Sequence, residues 1–343
     1  MRLEKQTYAE GTIYELINDR GVRVKVTNYG CIILSILTPD RHGIKKNIVA
    51  GYETIPEYIP NPDYLGCIVG RVASRTSGAG FHIGGRHYRL SANKGSDHLH
   101  GGASGFDQKR WQVEDEIGSS QLVGVIFSYQ SPDREEGYPG CLRTTVGYFL
   151  NNDNRLTLRY EAMPDQVTPV NLTNHSYFNL TGFEEETIDH HTLHIPSDKY
   201  TPLSTSLVPS GEILPIRDTA LDFSHHTPIG QRMGTLPGES YDHNYILNKP
   251  HGEMGLAAEV IAPSSGRLLR VYSDQPCIGL YTAGYLDGSR TGTQGKRYMR
   301  NGALCLETQQ YPDAVNRPEF PSTLIYPESE YSATTIFEFG VVD

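Results

Sequence analysis

Long apolar runs are absent from this 343-residue chain. No stretch reaches the roughly 18 apolar residues that a membrane-spanning helix needs. The first residues, MRLEKQTYAEGT, lack the apolar segment of a signal peptide. We therefore expect neither a membrane span nor a secreted protein, and a cytoplasmic location.

Positive charge is also scarce. The chain has 30 Lys and Arg residues against 40 Asp and Glu residues, a net charge of −10, and no basic run. Nucleic acids and anionic membranes bind mainly through basic patches. The composition therefore disfavours nucleic-acid and membrane partners and favours a small neutral or polar ligand. We expect the chain to act as a monomer or a homodimer.

Cysteines are few and follow no pattern. The five are odd in number and scattered, and none forms a CxxC pair. Neither a disulfide framework nor a zinc finger is indicated. Free thiols in a reducing compartment are the simpler interpretation.

Helical periodicity is almost missing, whereas alternation of apolar and polar residues is frequent. The clearest alternating runs lie at residues 22–26, 156–160, 193–195, 268–271 and 337–339. Turn signals separate them, in a chain with 35 Gly and 21 Pro. Short helical turns are expected only near residues 54–58 and 227–233. The pattern predicts an all-β protein, a large antiparallel β-sandwich with few short helices, forming one domain over residues 1–343.

One histidine and one carboxylate are the leading candidates for chemistry. His175 lies in NLTNHSYFNL (171–180), where a strand would place Thr173 and Tyr177 on its face. Alone, such a histidine is more often structural. Glu307 follows the apolar residues 303–306, which indicates a carboxylate at the mouth of a buried strand. Together they suffice for acid–base catalysis without a cofactor.

Other polar side chains are candidates for ligand binding. Arg71 and Arg75 carry fixed N–H donors that suit a polyhydroxylated or anionic ligand, or a structural ion pair. His98 and His100 would share a strand face and so could bind a metal, but no further metal ligand follows at a recognisable spacing. A hydrogen bond from one of them to a ligand is favoured. Asp242 could accept hydrogen bonds from sugar hydroxyls or cap a strand.

Taken together, these segments resemble the aldose 1-epimerase (galactose mutarotase) family. The matching segments, in order, are residues 26–30, 70–75, 100–102 with 105–107 and Trp111, 171–180, 242–244 and 306–316, and the tail from residue 321. No single segment is specific, but six spaced matches in the family's order are.

The resemblance implies a galactose mutarotase-like β-supersandwich, no cofactor and no metal. It also implies interconversion of the α and β anomers of a free monosaccharide, such as glucose, galactose or a related aldose. His175 corresponds to the acid and Glu307 to the base, while Arg71 is not expected to touch the sugar. The expected substrate-binding residues are Arg75, His100, Asp242, Tyr177 and Ser74.

Two positions depart from the family pattern. The family usually has Asn where this chain has Ser74, and Gln where it has Gly279. Because neither position is the acid or the base, we expect the chemistry to be kept and the sugar preference to change. A bulkier or differently oriented substituent is expected to fit beside Gly279.

Mutarotation would need two proton transfers, and two other functions are also compatible with these residues. At neutral pH an ionised Glu307 would take the anomeric hydroxyl proton, and a protonated His175 would give a proton to the ring oxygen. A glycoside hydrolase using Glu307 with Asp242 is one alternative. A non-catalytic sugar-binding or sensing protein on the same fold is the other.

Overall fold

Antiparallel strands make up nearly all of the regular structure. The computed structural model of the chain describes residues 1–205 and 207–343. The first strands are β1 (Arg2–Thr7), β2 (Thr12–Ile17), β3 (Arg23–Thr27), β4 (Ile33–Pro39), β5 (Lys45–Asn47), β6 (Ile68–Val69), β7 (Arg75–Thr76), β8 (Gly80–Ile83), β9 (Arg86–Arg89) and β10 (His98–Leu99). The next are β11 (Gln112–Gly118), β12 (Leu122–Ser131), β13 (Leu142–Asn151), β14 (Arg155–Pro164), β15 (Thr168–Pro169), β16 (Thr173–Asn174), β17 (Tyr177–Phe178), β18 (Thr192–His194) and β19 (Ser197–Thr201). The last are β20 (Leu214–Pro215), β21 (Thr227–Pro228), β22 (Asp242–Leu247), β23 (Gly255–Ile261), β24 (Arg267–Ser273), β25 (Cys277–Tyr281), β26 (Leu304–Gln309), β27 (Leu324–Ile325) and β28 (Tyr331–Val341).

Within the described residues, helical structure is limited to short turns, as predicted. The α-helical turn α1 covers Gly230–Met233. The 3₁₀-type turns are Ile55–Tyr58, Ser77–Ala79, Phe106–Gln108, Glu135–Gly137, Pro237–Glu239, Thr293–Gly295 and Ala314–Asn316. The turns expected near residues 54–58 and 227–233 are therefore confirmed. In the described part of the chain, no helix is long and apolar enough to cross a membrane.

Three large sheets form the sandwich. The nine-stranded sheet has the order β11-β12-β13-β14-β28-β24-β23-β18-β21, the six-stranded sheet β17-β26-β25-β22-β19-β20, and the five-stranded sheet β1-β2-β3-β4-β5. Ring contacts join the layers, Tyr14 to Phe127 at 5.8 Å and Phe178 to Phe337 at 5.2 Å between centroids. The predicted antiparallel β-sandwich is confirmed, because the alternating runs place their apolar residues in one shared core.

The six-stranded sheet has two chemically different faces. Its apolar face packs into the main core through Tyr245, Ile278, Leu280, Leu304 and Leu306. Residues at odd positions of β26 face the other way, since successive side chains of a strand alternate. This second face carries polar side chains and forms the floor of a pocket.

Arg71 is a structural arginine buried outside the pocket. It is 2% exposed. Its guanidinium group donates hydrogen bonds to the Ser131 hydroxyl and to the backbone carbonyls of Ser131, Pro132, Pro139 and Gly140. The loop after β12 is thus tied to the segment before β7, and Arg71 is not among the residues that line the pocket.

Replacing Arg71 with Leu is expected to lower the free energy of unfolding by about 3 kcal/mol or more. The substitution leaves several buried carbonyl groups without donors, each of which costs about 1–3 kcal/mol. Urea denaturation measures the loss. Exposed Arg159, also changed to Leu, is the matched control and should shift stability by less than about 0.5 kcal/mol. A stable Arg71→Leu protein would contradict this role.

Candidate active site

The register of three strands builds the pocket floor. Pairing of β22 with β25 and of β25 with β26 places Asn244, Gly279 and Glu307 side by side. Asp242 and Tyr281 occupy the neighbouring row. Residues directly opposite each other point to the same face. The carboxyl group of Glu307, a residue that is only 6% exposed, therefore rises from the middle of the sheet into the pocket.

His175 reaches the same pocket from the connection between β16 and β17. Its backbone N–H donates to the carbonyl of Cys67 at 2.9 Å, and its carbonyl accepts from the N–H of Gly66 at 3.0 Å. The expected single strand is divided here, because β16 pairs with β6 whereas β17 pairs with β26. The Nε2 atom of His175 lies 3.7 Å from Oε1 of Glu307.

His100 and Ser74 hold each other in the left-handed backbone region, at φ values of 52° and 65°. The His100 N–H donates to the Ser74 carbonyl at 3.1 Å, and the Ser74 N–H donates to Nδ1 of His100 at 3.3 Å. Burial lowers the pKa of His100 well below its usual range, so the ring is neutral. Because Nδ1 accepts a hydrogen bond, the single ring proton is on Nε2. His100 is therefore built as a hydrogen-bond donor.

The idea that His98 and His100 share a strand face is wrong. His98 is turned away, with Nε2 2.7 Å from the Tyr138 hydroxyl and Nδ1 2.7 Å from the Ser91 carbonyl. The left-handed conformation of His100 ends the strand between the two imidazoles. The next residue, Gly101, has no room for a side chain, because a Cβ there would lie 1.8 Å from the Gly70 carbonyl oxygen.

A different set of side chains has metal-ligand chemistry. Ligand atoms of His100, His175 and Glu307 lie within 4.8 Å of one another. A neutral imidazole ligates a metal through an unprotonated nitrogen. The Ser74 N–H occupies that nitrogen of His100, so the trio suits hydrogen bonding to a ligand better than metal binding.

The remaining predicted residues also lie at the pocket. The lining includes Ser74, Arg75, His100, His175, Tyr177, Asp242 and Glu307. Burial raises the pKa of Asp242, while the nearby cations Arg75 and Lys94 oppose that rise. The Tyr177 hydroxyl donates to the Asp63 carbonyl at 2.7 Å, and its ring centroid lies 5.0 Å from that of His175. Tyr177 thus supports the imidazole.

Gln309 also lines the pocket, although the sequence did not predict it as a site residue. It is two residues beyond Glu307 on β26, so that its side chain shares the face of the carboxylate. Its Oε1 accepts from the Ser74 hydroxyl at 3.1 Å, and its Nε2 would lie 3.1 Å from a Cβ at Gly279. The Gln309 amide nitrogen therefore lies close to the space beside Gly279, where a sugar substituent was expected to fit. Both positions that depart from the family pattern contact this one residue.

Burial controls the charges of the central pair. It raises the pKa of Glu307 to about 8, with a further rise from Asp242, and it lowers the pKa of His175 to about 4. At 3.7 Å the two groups are too far apart for a direct hydrogen bond. At neutral pH Glu307 is therefore protonated and His175 neutral. This reverses the protonation expected from the sequence, because burial disfavours both charged forms.

Comparison with known proteins identifies the family of this chain. The family model described as aldose 1-epimerase matches residues 12–338. The chain belongs to the aldose 1-epimerase family. It is 40% identical over 320 residues to the galactose mutarotase of Homo sapiens, covering 93% of this chain and 92% of that protein. It is 31% identical over 340 residues to the aldose 1-epimerase of Escherichia coli, covering 96% of each.

Solved structures show the same fold. The aldose epimerase homologue from C. elegans has a TM-score of 0.90 and 27% identity, covering 97% of this chain and 100% of that one. The galactose 1-epimerase of Lactobacillus acidophilus has a TM-score of 0.85 and 25% identity, covering 100% of this chain and 99% of that one. The enzyme is an isomerase that interconverts the anomers of a free aldose. This relationship favours mutarotation over glycoside hydrolysis and over sugar binding without catalysis.

The charge state of the pair can be tested directly. We expect the imidazole ¹⁵N signals of His175 to report a neutral ring at pH 7 and to titrate with a midpoint near 4, because burial penalises the cation. The resonances are assigned by their loss in His175→Gln. A midpoint near the unperturbed value of about 6.5 would contradict the burial argument.

Proposed function

We propose that His175 and Glu307 are the acid and base of mutarotation, acting on galactose or glucose. The observation that carries this proposal is the 3.7 Å separation between Nε2 of His175 and Oε1 of Glu307 at the pocket floor. A sugar ring bound there would place its anomeric hydroxyl and its ring oxygen, which are bonded to the same carbon, beside the two groups.

The proton transfers balance within this pair. The carboxylate of Glu307 removes the proton of the anomeric hydroxyl, and the imidazolium of His175 gives its proton to the ring oxygen. The bond between the anomeric carbon and the ring oxygen breaks, which leaves an aldehyde. Rotation about the C1–C2 bond presents its other face. In ring closure Glu307 gives its proton to the aldehyde oxygen, and His175 takes the proton of the hydroxyl group whose oxygen attacks the carbonyl carbon and becomes the ring oxygen again. Both groups are then back in their starting states.

The substrate itself supports the required charge distribution. Ring opening needs an ionised Glu307 and a protonated His175, whereas the pKa values of the protein alone put the single proton on Glu307. A sugar hydroxyl that donates to the carboxylate stabilises its charged form, and a ring oxygen that accepts from Nε2 stabilises the imidazolium. Binding of the cyclic sugar thus moves the proton from Glu307 to His175 without uptake from solvent.

The polar pocket wall would hold the hydroxyl groups. The guanidinium of Arg75 and the Nε2–H of His100 are donors, and Asp242 is an acceptor when ionised. Fixing the ring in this way gives both proton transfers a common geometry. These assignments are supported by the pocket lining and by the donor state of His100.

Substrate and location are proposed on separate grounds. Several relatives are named galactose mutarotase, which supports a hexose such as galactose. The five cysteines are free thiols. Unpaired cysteines support a reducing compartment such as the cytoplasm.

Glu307→Gln and His175→Ala are each expected to lower kcat about 10²- to 10⁴-fold, because each removes one positioned proton-transfer group. Polarimetry of freshly dissolved α-D-galactose measures the rate above the spontaneous one. The exposed residues Glu330 and His42 supply matched controls, Glu330→Gln and His42→Ala, which should keep wild-type rates. Folded Glu307 or His175 variants as fast as the wild type would refute the assignment.

The dependence of kcat/KM on pH should follow the proton count of the pair. Between pH values of about 4 and about 8 the pair holds one proton, so kcat/KM should be flat. Below that range both groups are protonated, and above it neither is, so activity should fall on both sides. The two limbs belong to the coupled pair. A limb near the middle of the range would show that burial does not control these groups.

A further inference from the structure

The side-chain amide of Gln309 is fixed at both ends. Its Oε1 accepts a hydrogen bond from the Ser74 hydroxyl at 3.1 Å, and its Nε2 donates a hydrogen bond to Oδ1 of Asn244 at 3.3 Å. Asn244 is itself tied to Thr201 at 3.3 Å. With Gln309 only 1% exposed, this chain of hydrogen bonds gives the amide one orientation.

Gly279 makes room for this arrangement. The Asn244 and Glu307 backbones flank it on the neighbouring strands, and its own backbone does not adopt the left-handed conformation that would require glycine. A Cβ at Gly279 would come within 3.1 Å of the Gln309 amide nitrogen, closer than an ordinary contact. The glycine therefore lets the amide of β26 reach across β25 to Asn244.

One N–H of the amide is left over. A side-chain amide has two N–H donors, and within residues 1–205 and 207–343 Asn244 is the only protein acceptor that Nε2 has. The residue lines the pocket, on the same strand face as Glu307. A buried donor without a partner is costly, which makes this N–H a site for a ligand oxygen.

We propose that Gln309 is a specificity-determining residue that donates a hydrogen bond from Nε2 to one hydroxyl of the bound aldose, with Ser74 and Gly279 setting its position. This inference rests on the proposed function of the pocket. A site that pairs a buried polar group with a substrate hydroxyl discriminates against sugars that lack it, because the donor is then left unpaired. Gln309 takes no part in the proton transfers.

The proposal is tested by comparing kcat/KM of the wild type and of Gln309→Met on D-galactose and on its deoxy derivatives. Gln309→Met keeps the side-chain length and removes the donor. With D-galactose we expect kcat/KM to fall roughly tenfold, mainly through KM, which is the loss of one hydrogen bond. The 2-, 3-, 4- and 6-deoxy sugars are measured in parallel. For the deoxy sugar that lacks the hydroxyl bound by Gln309, the kcat/KM of the wild type should already be roughly tenfold lower than with D-galactose. With that sugar, Gln309→Met should lower kcat/KM by less than about a further twofold.

Matched variants separate binding from structure. Gln310→Met removes a side-chain amide that donates a hydrogen bond to Oε1 of Gln275 at 2.8 Å, outside the pocket. It should leave kcat/KM for every sugar within about twofold of the wild-type value. Gly279→Ala pushes on the amide and should reproduce the sugar-selective loss. Gly340→Ala is its control, because the atoms nearest to the new Cβ would belong to Leu268, at 3.4 Å or more.

The outcomes distinguish this inference from the proposed function. If the wild type fails to accelerate mutarotation of D-galactose and D-glucose, the proposed function fails. If the wild type is active but Gln309→Met loses the same factor with every deoxy sugar, or loses nothing, the role of Gln309 is overturned. Should Gln309→Met not fold, the same comparison with Gly279→Ala decides the question.

Discussion

The pairing register of β25 with β26 is the constraint on which the site depends. It sets Glu307 against Gly279 and turns the leucines of β26, Leu304 and Leu306, into the core. A slip of one residue would exchange the two faces and bury the carboxyl group among apolar side chains. The apolar core that forms the sandwich therefore also determines the direction of the Glu307 carboxyl group.

Burial in such a sheet changes the protonation of ionisable side chains. A carboxyl group and an imidazole removed from water both shift toward their neutral forms, and the pair then shares one proton across neutral pH. Mutarotation needs one proton to leave the sugar at one oxygen and one to arrive at another. A pair with one proton can serve both ring opening and ring closing, since the two directions differ only in which group carries it.

The sequence was a good guide to the strands and a partial guide to the site. Alternation marks β14 and β28 because their pattern is local, and the capping of the turn after Thr54 is local too. The orientation of His98 relative to His100 depends on a left-handed residue that strand periodicity does not anticipate. The protonation of Glu307 depends on the depth of its burial, which only the packing of distant strands determines.

Gln309 shows why neighbours of a candidate catalytic residue are harder to find than the residue itself. Its two-residue spacing from Glu307 is visible in the sequence, but its proposed function depends on Ser74 and Gly279. Ser74 lies 235 residues before it in the chain, and Gly279 lies on the neighbouring strand β25. The space at Gly279 and the hydroxyl donor of Ser74 together orient the side chain of Gln309. Substitutions at Ser74 and Gly279 can therefore change the hydroxyl groups that the pocket accepts while His175 and Glu307 remain in place, so that sugar preference and proton transfer can vary independently.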